Sequence, residues 1–157
     1  MESKLSQLVK NPLQLLALGF GAGLSPKAPG TVGTLVGVLF YLGMQYLPLW
    51  QYGLLTAGLF VAGIWLCGRT ARDLGVHDHG SIVWDEIVGF LVTMLAAPAG
   101  WLWILYGFLL FRLFDIWKPW PIRWLDRRVG GGFGIMVDDL LAGIYGLVII
   151  QITSHLL

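Results

Sequence analysis

The chain has 157 residues, of which 57% are apolar and 12% charged, and its mean hydropathy is +0.75. Soluble domains carry about a quarter charged residues, so this composition excludes an ordinary soluble protein. It predicts a single all-α domain over residues 1–157, built as a polytopic bundle of membrane-embedded helices. The formal net charge of +1 and the lack of a basic stretch interleaved with exposed aromatics argue against nucleic acid as a partner.

The N-terminal segment imitates a signal peptide, because Lys4 and Lys10 precede the apolar residues 12–24. No small-x-small cleavage site follows, and we expect the segment to be retained. It is too short to cross a bilayer, which predicts a re-entrant or interfacial helix.

A glycine- and proline-rich loop containing Lys27 then precedes a helix that begins at Thr31. A helix N-terminus of this kind can bind an anion, although glycines in membrane helices often serve packing alone.

Two apolar runs follow, residues 31–47 and residues 51–67, with Pro48 between them. Each has about 17 residues, the lower limit for crossing a hydrocarbon core of about 30 Å. Together they predict a helical hairpin with an uncharged tip. Arg69 and Arg72 come next, and the positive-inside rule assigns that end to the cytoplasm.

Residues 87–111 form a second uncharged window. One helix of this length would cross the membrane and would separate Asp85 from Asp115. A turn at residues 97–100, where proline and glycine interrupt the run, would instead give two helices and bring both acids to one face. We favour this hairpin because it gathers the basic residues on the cytoplasmic side. With the final run, residues 140–157, the expectation is about four to five membrane-embedded helices.

Two pairs of acids stand directly before apolar runs: Asp85 with Glu86, and Asp138 with Asp139. Acids in such positions often cap helices and complement the helix dipole. Two adjacent acids near lipid repel each other, however, and Asp115 adds a third site. Magnesium binds through a few hard carboxylate oxygens together with substrate phosphate. Spacing alone leaves capping and metal binding open.

The basic residues near these acids also allow two interpretations. One helix face carries Arg112, Asp115 and Lys118. These residues can form a salt-bridge ladder of little energetic value, or Asp115 can bind the metal while Lys118 binds phosphate. The basic stretch of residues 123–128 can hold substrate phosphate or anionic lipid headgroups. For residues 77–79, His-Asp-His, we expect a hydrogen-bonded loop, since alternate histidines suit zinc better than magnesium.

Four sequence blocks carry a resemblance to a known family: GFGAGLSPKAPGTVGTL, GVHDHGSIVWDEIVG, FRLFDIWKPWPIRWLDR and GGFGIMVDDLLAG. In order and spacing they resemble the phosphatidylglycerophosphatase A family over residues 13–143. The resemblance implies a magnesium-dependent lipid phosphatase of the bacterial inner membrane, multi-pass, with its site at the cytoplasmic face. Its substrate would be a membrane phospholipid, phosphatidylglycerophosphate, which it would convert to phosphatidylglycerol and inorganic phosphate in glycerophospholipid biosynthesis.

The resemblance also implies roles for individual residues. The catalytic residues would be Asp85, Glu86, Asp115, Asp138 and Asp139. The Mg²⁺ ligands would be Asp85, Glu86, Asp138 and Asp139. The substrate-binding residues would be Lys27, Thr31, Lys118 and Arg123. An activated water is the favoured nucleophile over an aspartate, because the D-x-D signature of aspartate-nucleophile phosphatases is missing.

Two alternatives to this function stay open. One is a phosphatase acting on another membrane phospholipid. The other is a membrane transporter, which we disfavour because transporters usually carry ionisable groups inside their spans, whereas here the charges lie outside the apolar runs.

Overall fold

The computed structural model describes residues 10–75 and 81–157, so the His-Asp-His loop of residues 77–79 lies outside the described part. The described residues form α-helices and no strands, which confirms the all-α prediction. The helices are α1 (Pro12–Ala17), α2 (Pro29–Met44), α3 (Leu49–Leu74), α4 (Trp84–Thr93), α5 (Trp101–Trp117), α6 (Ile122–Arg128) and α7 (Gly131–Leu156).

Two of these helices are long and apolar enough to cross a membrane. Within the described residues, α3 and α7 have 26 residues each, or about 39 Å at 1.5 Å per residue. Helix α2 is apolar but has only 16 residues. The larger number of four to five embedded helices therefore remains a prediction. The expected short N-terminal helix is present as α1.

The predicted turn in the uncharged window is present. Helix α4 ends at Thr93 and α5 begins at Trp101. Ala96 and Gly100, in the connection between the two helices, have positive φ values of 58° and 129°. The hairpin interpretation is therefore confirmed over the single-helix one. Helix α4 has ten residues, about 15 Å, so it is half the length needed to cross a hydrocarbon core.

The bundle has two ends, which we call the acidic end and the far end. The acidic end holds the start of α4, the end of α5 and the first turns of α2 and α7. Here the backbone N–H of Val83 donates to the carbonyl of Ala17 at 2.9 Å. At the far end the Gln151 side chain donates to the carbonyl of Ala96 at 2.9 Å. Helix α4 thus runs from the acidic end to the far end, and α5 returns the chain to the acidic end.

Helix α7 begins at Gly131, nine residues before the predicted start of the last apolar run. The prediction that Asp138 and Asp139 precede this helix is therefore wrong. Glycine lowers helix propensity, so the cluster of glycines before Asp138 disfavours a helix locally. Packing overrides that preference, because Gly132 and Gly134 are buried and lie against the backbone of neighbouring segments.

Close approach of α4 to α7 depends on glycine. Gly143 in α7 lies against the backbone of Gly89 in α4, and a Cβ added at Gly143 would stand 2.5 Å from the Gly89 carbonyl oxygen. Small residues of this kind let membrane helices pack backbone to backbone. The contact holds the two helices that carry the acidic pairs side by side.

We expect Gly143→Ala to destabilise the bundle by about 1–3 kcal/mol, the usual range for overpacking. Gly58→Ala is the matched control, because Gly58 also lies inside a long helix but, apart from its own local helix backbone and chain neighbours, no described atom is within 4 Å of the added Cβ. The control should be neutral or slightly stabilised by helix propensity. Thermal unfolding in detergent measures both. Equal melting temperatures for the two variants would contradict the close α4–α7 contact.

The two ends of the bundle also predict sidedness in vesicles. Cysteines introduced singly at Lys27 and Gly130, both exposed at the acidic end, should react with an impermeant maleimide from one side. Cysteines at Tyr46 and Trp101, exposed at the far end, should react from the other side. Cys67 is fully buried and is replaced by serine in the background. Labelling of positions 27 and 101 from the same side would contradict this orientation.

Candidate functional site

The first acidic pair lies in the opening turn of α4. This helix begins at Trp84 after Val83, which makes no side-chain capping hydrogen bond, and Asp85 and Glu86 occupy its first turn. Negative charge here interacts favourably with the helix dipole. Asp85 is 4% exposed. A capping carboxylate at the surface would stay in water. Burying the Asp85 carboxylate has an energetic cost that neighbouring charges and hydrogen bonds must offset.

The second acidic pair does not cap a helix. Asp138 and Asp139 lie in the third turn of α7, whose first turn has no acid. The dipole effect is confined to the first turn, so it cannot explain them. Both side chains are buried, at 3% and 2% exposure. The capping interpretation is therefore excluded for this pair.

Three carboxylates from the two pairs meet in space. One oxygen each from Asp85, Glu86 and Asp139 can be chosen so that all three lie within 4.8 Å of one another. We call this group the acidic triad. Asp138 lies beside it on α7 but is not part of the group of three, and its predicted role as a metal ligand stays a prediction.

The acidic triad fits a hard divalent cation. Its donor atoms are all carboxylate oxygens, the ligands that Mg²⁺ prefers. Oε2 of Glu86 and Oδ2 of Asp139 are buried and have no hydrogen-bond partner among the described residues. Burial raises the pKa of Glu86, and the nearby charge of Asp139 raises it further. A bound cation would remove both penalties.

Asp115 reaches the triad from the end of α5. It is buried, and it lies within hydrogen-bonding distance of Asp139. It also forms an ion pair with Arg112, one helical turn earlier. The predicted salt bridge between Arg112 and Asp115 is thus present. The pair is not an exposed ladder, since the two side chains are only 16% and 8% exposed.

Arg112 is a residue to which the sequence analysis gave no role of its own. A Cβ added at Gly30 would stand 2.9 Å from Nη1 of Arg112 and 3.2 Å from Oε1 of Glu86. The first turn of α2 therefore closes directly over the guanidinium and the triad. The spacing from Arg112 to Asp115 signalled the ion pair, but no sequence signal connected Arg112 to Gly30.

Lys118 brings a positive charge to the same end. It ends α5 in a left-handed conformation, with φ of 54°, and is half-buried. Burial lowers the pKa of Lys118, but the carboxylates of Asp139, Asp115 and Asp138 together outweigh burial and the pKa is raised. The lysine therefore stays protonated beside the acids, where a phosphate group would need a cation.

The remaining predicted substrate residues lie around this centre. Thr31 is half-buried in the first turn of α2, next to Gly30, and Lys27 is exposed in the preceding loop. Arg123 is exposed on α6, and its Nη2 donates to the carbonyl of Trp117 at 2.8 Å. The short helix α6 itself was not predicted from the sequence.

A groove of about 790 Å³ opens beside Lys118. We call it the basic groove, and its lining residues are Trp117, Lys118, Pro119, Trp120, Arg123, Trp124, Arg127 and Arg128. The acidic end thus combines buried carboxylates for a cation with neighbouring cations for a phosphate. This combination is suited to metal-assisted chemistry on a phosphate ester.

Comparison with known proteins gives a family. The family model described as Phosphatidylglycerophosphatase A matches residues 15–154. A phosphatidylglycerophosphatase A of Escherichia coli is 50% identical over 148 residues, which cover 94% of this chain and 86% of the relative. The Haemophilus influenzae protein of the same name is 50% identical over 142 residues, covering 89% and 87%.

A third relative carries a different name. A Bacteroides thetaiotaomicron protein named putative phosphatidylinositol-3-phosphatase is 37% identical over 146 residues, which cover 88% of this chain and 91% of the relative. No solved structure matches the chain. The extent of the family match and of both 50% identities confirms the resemblance seen in the four sequence blocks, and the chain is therefore a phosphatase that belongs to the phosphatidylglycerophosphatase A family.

Proposed function

We propose that the protein hydrolyses the terminal phosphomonoester of phosphatidylglycerophosphate, releasing phosphatidylglycerol and inorganic phosphate, as a step in glycerophospholipid biosynthesis. The observation that carries the proposal is the acidic triad of Asp85, Glu86 and Asp139 beside Lys118. The two relatives at 50% identity, both named for this activity, support the choice of substrate.

The proposed cofactor is Mg²⁺, held by the acidic triad with Asp138 as a further ligand or neighbour. When bound, the ion supplies positive charge that neutralises phosphate oxygens and makes phosphorus more electrophilic. The support is the donor set of oxygens and the two buried oxygens that lack a hydrogen-bond partner in the described part of the chain.

The protein's own groups then bind and orient the phosphate and its attacking water. Lys118 pairs with the phosphate oxygens, and Arg112 fixes the carboxylate of Asp115 through their ion pair. Asp115 or Asp138 accepts a proton from the water as its oxygen attacks phosphorus in line. The ester P–O bond breaks, and the glycerol oxygen leaves as an alcohol after taking up the proton that the carboxylate accepted from the water.

The proposed location is the bacterial inner membrane, with several crossings and the acidic end at the cytoplasmic face. Supporting it are the two long apolar helices α3 and α7 and the basic residues at the acidic end, among them Arg72 in the last turn of α3, since cytoplasmic ends carry an excess of Lys and Arg. The substrate's acyl chains would stay in lipid while the headgroup reaches the triad.

A second candidate is a phosphatase for another membrane phospholipid, which the name of the Bacteroides relative favours. The same triad would serve either substrate. We do not favour a transporter, because the family to which the chain belongs is one of phosphatases. The expectation that the charges lie outside the spans is wrong for Asp138 and Asp139, which lie inside α7.

Phosphate release from purified protein tests the proposed reaction. With Mg²⁺ we expect turnover of phosphatidylglycerophosphate, slower turnover of phosphatidic acid, and loss of both on adding chelator. Chelator-resistant turnover would overturn the metal role. Faster turnover of a phosphoinositide than of phosphatidylglycerophosphate would favour the second candidate.

Single carboxylate variants test the residues. Glu86→Gln and Asp139→Asn should each lower kcat by about 100-fold or more, the usual cost of removing a group that stabilises transition-state charge. Asp73→Asn is the control, because Asp73 contacts Gln14 on α1 and not the triad. Full turnover by a folded Asp139→Asn variant would overturn the assignment.

Ligand-induced stabilisation tests cation binding without turnover. Millimolar Mg²⁺ should raise the melting temperature of the unmodified protein, because a ligand that binds only the native state stabilises it. The shift should disappear in Glu86→Gln and persist in Asp73→Asn. An equal shift in all three proteins would mean that the ion binds elsewhere.

A further inference from the structure

The basic groove carries more positive charge than one phosphate requires. Among the described residues that line it, four are cations, namely Lys118, Arg123, Arg127 and Arg128, and none is an acid. Asp126 lies on the same helix but is not part of the lining. Such a surface is complementary to an anion with several oxygens.

Lys118 belongs both to the lining of the groove and to the surroundings of the acidic triad. This residue lines the groove and also lies close enough to Asp139, Asp115 and Asp138 to interact with their charges. An anion held by the arginines of the groove would therefore be the neighbour of a phosphate held at the triad. The two positions are adjacent parts of one site.

The groove is held in shape by contacts of its own. The Arg128 guanidinium lies over the Trp124 ring at 5.0 Å, and the Tyr145 hydroxyl of α7 donates to the carbonyl of Trp120 at 2.8 Å. The rings of Trp120 and Trp124 are 79% and 47% exposed. Exposed tryptophans of this kind are typical of a membrane interface, where a lipid headgroup meets its acyl chains.

We propose that the basic groove binds the second anion of the substrate, the phosphodiester that joins its diacylglycerol to its glycerol headgroup. This inference rests on the proposed function, in which the triad takes the terminal phosphomonoester. The substrate has these two phosphates joined through three glycerol carbons, and the protein has two anion positions joined through Lys118. A phosphomonoester lipid without the diester, such as phosphatidic acid, fills only one of them.

The test compares two double variants on two substrates. Arg127→Gln with Arg128→Gln removes two charges from the last turn of α6, while Arg69→Gln with Arg72→Gln removes two from the end of α3. The pairs are well matched, because Arg69 also lies over a tryptophan ring, that of Trp65. The kcat and KM values are measured in mixed micelles.

The groove variant should raise KM for phosphatidylglycerophosphate by about tenfold, the scale of one lost charge-assisted hydrogen bond. The KM for phosphatidic acid and both kcat values should change little. The α3 variant should leave all four values near those of the unmodified protein. An equal effect of the groove variant on both substrates, or an equal effect of the two variants, would overturn the inference and leave the proposed reaction standing.

Product inhibition tests the same inference on the unmodified protein, so the outcome does not depend on whether a variant folds. Phosphatidylglycerol keeps the phosphodiester and should inhibit competitively, more strongly than zwitterionic phosphatidylcholine. The groove variant should weaken this inhibition by about the same factor as it raises KM. Activation or non-competitive inhibition would instead identify the groove as a site for bystander anionic lipid and overturn the proposal. No phosphate release from phosphatidylglycerophosphate in any arm would refute the proposed function itself.

Discussion

The structure depends on burying several carboxylates where two apolar helices meet. Moving a carboxylate out of water costs several kcal/mol, and α4 and α7 bring Asp85, Glu86 and Asp139 together, with one oxygen of each within 4.8 Å of the others. Arg112 and Lys118 offset part of this charge. In the proposed function, a bound divalent cation would offset the remaining negative charge.

The bundle is arranged so that this cluster can form. Gly89 and Gly143 allow the backbones of α4 and α7 to touch, and Gly30 allows the first turn of α2 to close over Glu86. The short α4 and the turn after it let α5 return the chain to the acidic end. The apolar helices thus form the scaffold, and the buried acids and the cations beside them lie at one end of it.

Much of the fold could be predicted from hydropathy, because long apolar runs become helices and the proline and glycine after Ala97 interrupt one. The start of α7 could not be predicted in this way. The glycines before Asp138 disfavour a helix locally, and only tertiary packing reverses that preference. The adjacency of acids signalled a site, and spacing alone left capping open. The contact of Gly30 with Arg112 joins residues that are 82 positions apart, so it could not be predicted from local sequence patterns.

The most direct test is electron paramagnetic resonance of Mn²⁺ bound to the purified protein in place of Mg²⁺. We predict a bound ion whose ligands are all oxygen atoms, with phosphorus coupling appearing when inorganic phosphate is added. An ion with nitrogen ligands, or no bound ion, would contradict the claim that Asp85, Glu86 and Asp139 form a cation site.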